Sequence, residues 1–218
     1  MKDQNLSHER IAQVRERLVT WVAKDGRDFS WRSPGTTPFQ ILVAEFLLKR
    51  TTAAAAAKVY QTFLQRYPDP DSLVRSSMDS LAEVLSPVGL NHQRALGFKA
   101  MAQYLAEHHL GEVPSGLEDL LAVPQVGDYT ARAVLSFGFD KPAAIVDSNV
   151  LRVLGRLCKD TLGPAPKIGD VQQLAEQLLP IRDHKLFNWG LLDLGALICR
   201  YDKPRCVRCP LMSECDYT

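Results

Sequence analysis

The stretch from Leu120 to Arg156, LLAVPQVGDYTARAVLSFGFDKPAAIVDSNVLRVLGR, constrains the fold more than any other part of the chain. Its opening, Val123-Pro124-Gln125-Val126-Gly127-Asp128-Tyr129-Thr130, reads as a tight turn between two helices. Leu120 and Leu121 close the first helix, and Ala131, Val134 and Leu135 mark the apolar side of the second. Pro124 ends one helix, and Gly127 allows a positive φ and close approach of another molecule's backbone. Amides at a helix start have no intrahelical partner, so this turn can hold a phosphate. Further on, Ala144-Ile145-Val146-Asp147-Ser148-Asn149-Val150 sets a carboxylate at the start of another helix, 18 residues beyond Tyr129. A phosphate grip and a placed carboxylate suit an enzyme that holds a nucleic-acid backbone and does chemistry beside it.

The rest of the chain reads as helix as well. Ser7 can cap a helix with Ile11, Val14, Leu18 and Trp21 on its apolar face, stopped at Gly26. Thr37-Pro38 caps and opens FQILVAEFLLKR, which is apolar nearly all round and therefore central. Ala53 to Arg66 begins with five alanines, which favour helix and leave a smooth surface for close approach or for tight helix packing. Ser77–Leu85, Asn91–His109, with Leu96, Met101 and Leu105 in the core, Ile168–Leu179 and His184–Cys199 complete the pattern. No strand alternation of useful length and no repeat interrupts it. The fold class is all-α, with about ten short helices and short connections.

Composition bounds the partners only loosely. The 218 residues are 46% hydrophobic, enough for a sizeable core in one or two domains. A formal net charge of +1 gives no global electrostatic case for nucleic acid, so any basic surface must be local. The N-terminal MKDQNLSHER is no apolar leader, and Glu45, Lys49 and Arg50 break the richest apolar run. The expectation is a cytoplasmic, nucleoid-associated protein.

Four of the five cysteines fall in the last 20 residues. Cys199, Cys206, Cys209 and Cys215 are spaced C-x6-C-x2-C-x5-C, close enough for four thiolates to surround one metal centre. Zinc suits four thiolates but usually takes two close pairs, and only one C-x2-C pair occurs here; a [4Fe-4S] cluster suits them equally. Arg200, Lys203, Arg205 and Arg208 around them can meet phosphates, or be balanced by Asp202, Glu214 and Asp216. Cys158 stands apart and reads as a buried core thiol on a helix.

These motifs resemble the helix-hairpin-helix glycosylases of the endonuclease III superfamily. Their hairpin usually runs L-P-G-V-G, then two residues, then T-A; Gln125 stands here in place of the first glycine. Val146 to Val153 matches their V-D-x-N-V-x-R-V, and the cysteine spacing matches their cluster loop at every position. The resemblance implies two helical lobes with a DNA-binding groove between them. One is a six-helix barrel with the hairpin, residues 27–135. The other is a [4Fe-4S] lobe that joins residues 1–26 to 136–218. It also implies a monomer acting on double-stranded DNA that carries a mismatched or damaged base.

A glycosylase extrudes a base and breaks its C1′–N bond through an oxocarbenium-like sugar. The resemblance gives Asp147 the role of stabilising that cation and orienting water; read from the residues alone, Asp147 is also a good N-cap. Tyr129 holds the position where lyase members carry their lysine, and no Lys lies between Lys99 and Lys141. A tyrosine forms no Schiff base, so the expected enzyme is monofunctional and leaves an abasic site. Glu45 is expected to have a raised pKa in its apolar helix and to hydrogen-bond the departing base, unless it serves a structural salt bridge. Expected DNA contacts are Arg50, Thr52, Ala53, Gln125, Val126, Gly127, Tyr129 and Thr130, with Ala53 where the family fills the gap left by the flipped base. Lys49-Arg50-Thr51-Thr52 replaces the Q-Q-T-Q usual in adenine mismatch glycosylases, and the chain stops three residues after Cys215. Both are more similar to thymine/uracil glycosylases of T·G and U·G mismatches. Adenine excision from A·G or A·8-oxoguanine is the second reading, and a cluster-bearing DNA-binding protein without turnover the third.

Overall fold

A computed structural model describes residues 6–217, and every regular element among them is helical. In chain order the α-helices are α1 (His8–Asp25), α2 (Pro38–Leu48), α3 (Ala53–Arg66), α4 (Pro70–Arg75), α5 (Met78–Leu85), α6 (Asn91–His109), α7 (Leu117–Ala122), α8 (Asp128–Ala133), α9 (Ser148–Leu157), α10 (Lys159–Leu162), α11 (Ile168–Leu178) and α12 (His184–Leu197). A π-helical turn, Val134–Gly138, continues α8. The chain divides into two compact units, Asp28–Lys141 and Met1–Arg27 with Pro142–Thr218.

In the Asp28–Lys141 unit, α2 is the buried strut. Thr37 and Gln40 form a reciprocal capping box with Pro38 in the first turn, so three residues fix where the helix starts. From Ile41 to Leu47 every side chain is buried. Phe46 meets Phe98 of α6, which meets Phe63 of α3, with ring centroids 5.3 and 4.5 Å apart. Each such ring contributes about 2–3 kcal/mol by leaving water. The alanine run of α3 packs through Ala56, while Ala54 is exposed.

The second unit is built on α1, α9, α11 and α12. Val14, Leu18, Val150, Val153, Leu154, Leu174, Leu178, Phe187, Leu191 and Leu194 form its core. Ser7 caps α1, and Val14, Leu18 and Val22 are its buried face, with Ile11 and Trp21 only partly covered. Cys158 is fully buried, at the junction of α9 and α10 rather than within a helix. Burial pushes its thiol up to about 12.

Several local expectations change. Leu96 is 60% exposed, because α6 buries Arg94, Ala95, Gly97, Phe98, Met101, Ala102 and Leu105 on its other side. Asp69 caps a further short helix, α4, with Pro70 in its first turn. α10 is a further single turn beyond the expected ten helices. Leu121 is 42% exposed, and Leu120 is the buried residue of α7.

Candidate active site and DNA-binding hairpin

The hairpin joins α7 to α8 in the Asp28–Lys141 unit. The Val126 amide donates to the Val123 carbonyl at 3.0 Å, closing the turn. The left-handed residue is Gln125, at φ +64°, and not Gly127, which is extended at φ −97°. The positive φ that Gly127 allows is therefore not used, while its missing side chain leaves open space, with nothing within 4 Å of where a Cβ would sit. No side chain caps the start of α8, as a backbone grip on an anion requires. Gln125 and Gly127 are exposed, whereas Val126 and Thr130 are buried and can offer only backbone groups. Tyr129, half-buried, stands in the first turn of α8.

The C-terminal end of α2 lies beside the hairpin. Lys49 Nζ donates to the Gln125 carbonyl at 2.5 Å and sits 4.1 Å from the Phe46 ring centroid. Burial pulls the Lys49 ammonium below its ordinary pKa, against the raising pull of the Glu45 carboxylate, while Arg94 adds to the lowering. Glu45, one turn earlier, is itself buried. Arg94 is buried too and donates to the carbonyls of Phe46 (2.8 Å), Lys49 (2.5 Å) and Gly89 (2.9 Å), satisfying the last turn of α2. Arg50, Leu90 and Gln125 are three non-glycine residues with left-handed φ, and all three line one open cavity of about 380 Å³ with Lys49, Gln93 and Leu96. Strained backbone gathered at one cavity is characteristic of a working surface. Arg50 is exposed there; Thr52 is exposed as well, with its hydroxyl engaged in capping α3, and Ala53 is partly covered.

Asp147 belongs to the other unit and is the N-cap of α9. One carboxylate oxygen accepts from the amides of Asn149 (2.9 Å) and Val150 (2.8 Å), and the other from Asn149 Nδ2 (2.9 Å). Asn149 Oδ1 accepts from Arg152, whose guanidinium also donates to the carbonyls of Gly195 (2.8 Å) and Cys199 (2.9 Å). A run of hydrogen bonds thus leads from the carboxylate to the backbone of the first cysteine of the C-x6-C-x2-C-x5-C set. Gly195 lets α12 come this close, since a Cβ there would meet Asn149 Cβ at 2.7 Å. Sequence reasoning passed over Lys49, Leu90, Arg94, Asn149 and Arg152. Only the D-x-N-x-x-R spacing, with Arg152 one turn after Asn149, hinted at part of this set.

Cys199, Cys206, Cys209 and Cys215 form no disulfides and line one small cavity of about 30 Å³, closed by Leu157, Leu194, Ile198 and Leu211. Among the described residues no three side chains are drawn to one point as a bound ion would draw them. The donor set nevertheless fits a thiolate-held group: Arg156 donates to Cys199 Sγ at 3.5 Å, and Arg10, bonded to the Glu214 carbonyl and to Asp216, braces the loop around Cys215. Burial pushes the Cys209 thiol up to about 11, so loading a metal group exchanges protons for metal.

A family model described as "HhH-GPD superfamily base excision DNA repair protein" matches residues 43–180. The chain belongs to this superfamily. Its relatives include a thymine-DNA glycosylase of Aeropyrum pernix, 36% identical over 97% of both chains. A thymine/uracil-DNA glycosylase of Methanothermobacter thermautotrophicus is 35% identical over 92% of this chain and 90% of its own. Adenine DNA glycosylase of Mycobacterium tuberculosis is 35% identical over 89% of this chain and 64% of its own length. Among solved structures, a thermostable thymine-DNA glycosylase superposes with a TM-score of 0.90 at 33% identity, covering 96% of each chain. No helix among the described residues is long and apolar enough to cross a membrane.

Proposed function

We propose that this base excision DNA glycosylase removes thymine and uracil mispaired with guanine, using water and leaving an abasic site. The observation that carries the chemical reading is Asp147. Its carboxylate is fixed by three N–H donors at a helix start, and the side chain is only partly buried. The three donors and the cap geometry fix the carboxylate's direction before substrate arrives. In the reaction the C1′–N1 bond breaks, its electron pair leaves with the base, and positive charge develops on the sugar. Asp147 stabilises that charge. A water oxygen then bonds to C1′ and gives up its proton to Asp147, which releases it to solvent, while the departing base takes up one proton from solvent. Glu45, on buried α2, hydrogen-bonds the leaving base, and Tyr129, without an amine, forms no Schiff base. Backbone groups of Gln125, Val126 and Gly127 with the start of α8 hold a phosphate, and Arg50 and Leu90 meet the strands at the everted step.

The four cysteine thiolates would hold a [4Fe-4S] cluster, tying the C-terminal loop to Cys199 just beyond the end of α12. Arg156 would then donate to a cluster thiolate, and Arg152 would keep the loop in register with Asp147 through Asn149.

Relatives that excise thymine or uracil match this chain along nearly their whole length, which favours that target. The adenine glycosylase relatives, similar in identity, support adenine excision as the second reading. Duplexes carrying T·G, U·G, A·G or A·8-oxoguanine, incubated with the protein and then cut by alkali at abasic sites, separate the readings. Strand breaks at T·G and U·G alone are expected. Breaks only at the adenine of A·G and A·8-oxoguanine would transfer the assignment to adenine, and binding with no breaks would leave a DNA-binding protein.

A further inference from the structure

We propose that Lys49 is a positioning residue that ties the helix carrying Glu45 to the hairpin, holding Gln125 in the left-handed turn. The proposal rests on the reading of this hairpin as the phosphate grip. A left-handed φ suits glycine and is unfavourable for a residue with a Cβ. Gln125 adopts it at +64°, so the turn needs support from outside itself. Two supports are present. Lys49 Nζ donates a charge-assisted hydrogen bond to the Gln125 carbonyl, and the same ammonium lies over the Phe46 ring. On the other side, the Gln125 amide rests against Gly97 of α6, where a Cβ would come within 2.7 Å of both Nε2 and Oε1. Glycine at 97 leaves room for the side chain that glutamine at 125 brings. Lys49 is in turn anchored, since its own carbonyl accepts from buried Arg94. Lys49 follows Glu45 by one helical turn, so displacement of the hairpin is transmitted to the helix that bears the buried carboxylate.

The geometry predicts coupling between positions 49 and 125. Glycine at 125 takes the left-handed turn without a brace, so removing Lys49 should matter only when Gln125 is present. The experiment compares wild type, K49M, Q125G and the double variant. It reads duplex affinity over a salt series and amide hydrogen exchange at Val126 and Gly127 in the free protein. K49M is expected to weaken binding by about tenfold, the scale of one charge-assisted hydrogen bond, with an unchanged salt slope. It should also speed exchange at Val126 and Gly127. In the Q125G background, K49M should change neither readout by more than about twofold. G97A is a second probe that leaves Lys49 in place: it should speed the same amides with Gln125 present and not in the Q125G background. Equal losses in both backgrounds would overturn the proposal. So would a salt slope reduced by about one in K49M, which means a direct phosphate contact. The exchange measurement involves no DNA, so it stands even if the protein proves to have another substrate.

Discussion

Asp147 is both a helix cap and the proposed reacting carboxylate, and substitution can separate the two. In Asp147→Asn the remaining carbonyl oxygen can still accept from the amides of Asn149 and Val150, now at 2.9 and 2.8 Å. Asn caps as well as Asp does, so the cap survives. The new Nδ2 faces Asn149 Nδ2 across what was a 2.9 Å bond, and one hydrogen bond worth about 1 kcal/mol is lost. The melting temperature should therefore fall by only about 2–4 °C for a chain of this size. Asp147→Ala removes the cap, costs about 1–2 kcal/mol and lowers the melting temperature further. Chemistry should follow a different order. Both variants lack the negative charge, and both should lose at least about 10³-fold in single-turnover base release, roughly 4 kcal/mol of barrier. Rates come from quenched time courses on a T·G duplex with enzyme in excess, affinity from binding to the same duplex, and stability from thermal melts. A rate that tracks the melting temperature, with Asn near wild type and only Ala impaired, would refute the reasoning and leave Asp147 as a cap.

Glu45→Gln should slow base release by at least about tenfold while changing duplex affinity less than threefold, and unchanged release with a lowered melting temperature would return Glu45 to a structural role. Protein purified without oxygen should be brown with about four irons per chain, and Cys206→Ser should lose colour, whereas a colourless protein with stoichiometric zinc would reject the cluster. Borohydride added during turnover should trap no adduct with wild type, and a strong covalent adduct would contradict the monofunctional reading of Tyr129. Burial pushes the Tyr60 phenol from 10.0 up to about 12, so the unfolded chain loses this proton first. Stability should accordingly fall as pH rises through 10 toward 12, while the Tyr60 phenolate band stays absent until near the upper end.

Much of this protein was legible because its decisive interactions are short in sequence. Ser7, Thr37, Thr52, Ser77 and Asp147 each cap a helix by accepting from an amide two or three residues on, which the local order of residues dictates. The cysteine spacing marked the thiols for the same reason: the four lie within 17 residues. What the sequence left open lies across long separations. Lys49 reaches Gln125 over 76 residues, Arg94 closes the end of α2 over 45 to 48, and Arg152 reaches Cys199 over 47. Leu96 looked like core until the neighbours of α6 covered its other face. Gly127 looked like the left-handed residue, but which residue of a turn takes the positive φ depends on what supports it. Here the support goes to Gln125, from a lysine and a glycine that only packing brings near. Caps, helix periods and ligand spacing are settled by neighbours in the chain, whereas the exposed face and the strained residue are settled by neighbours in space.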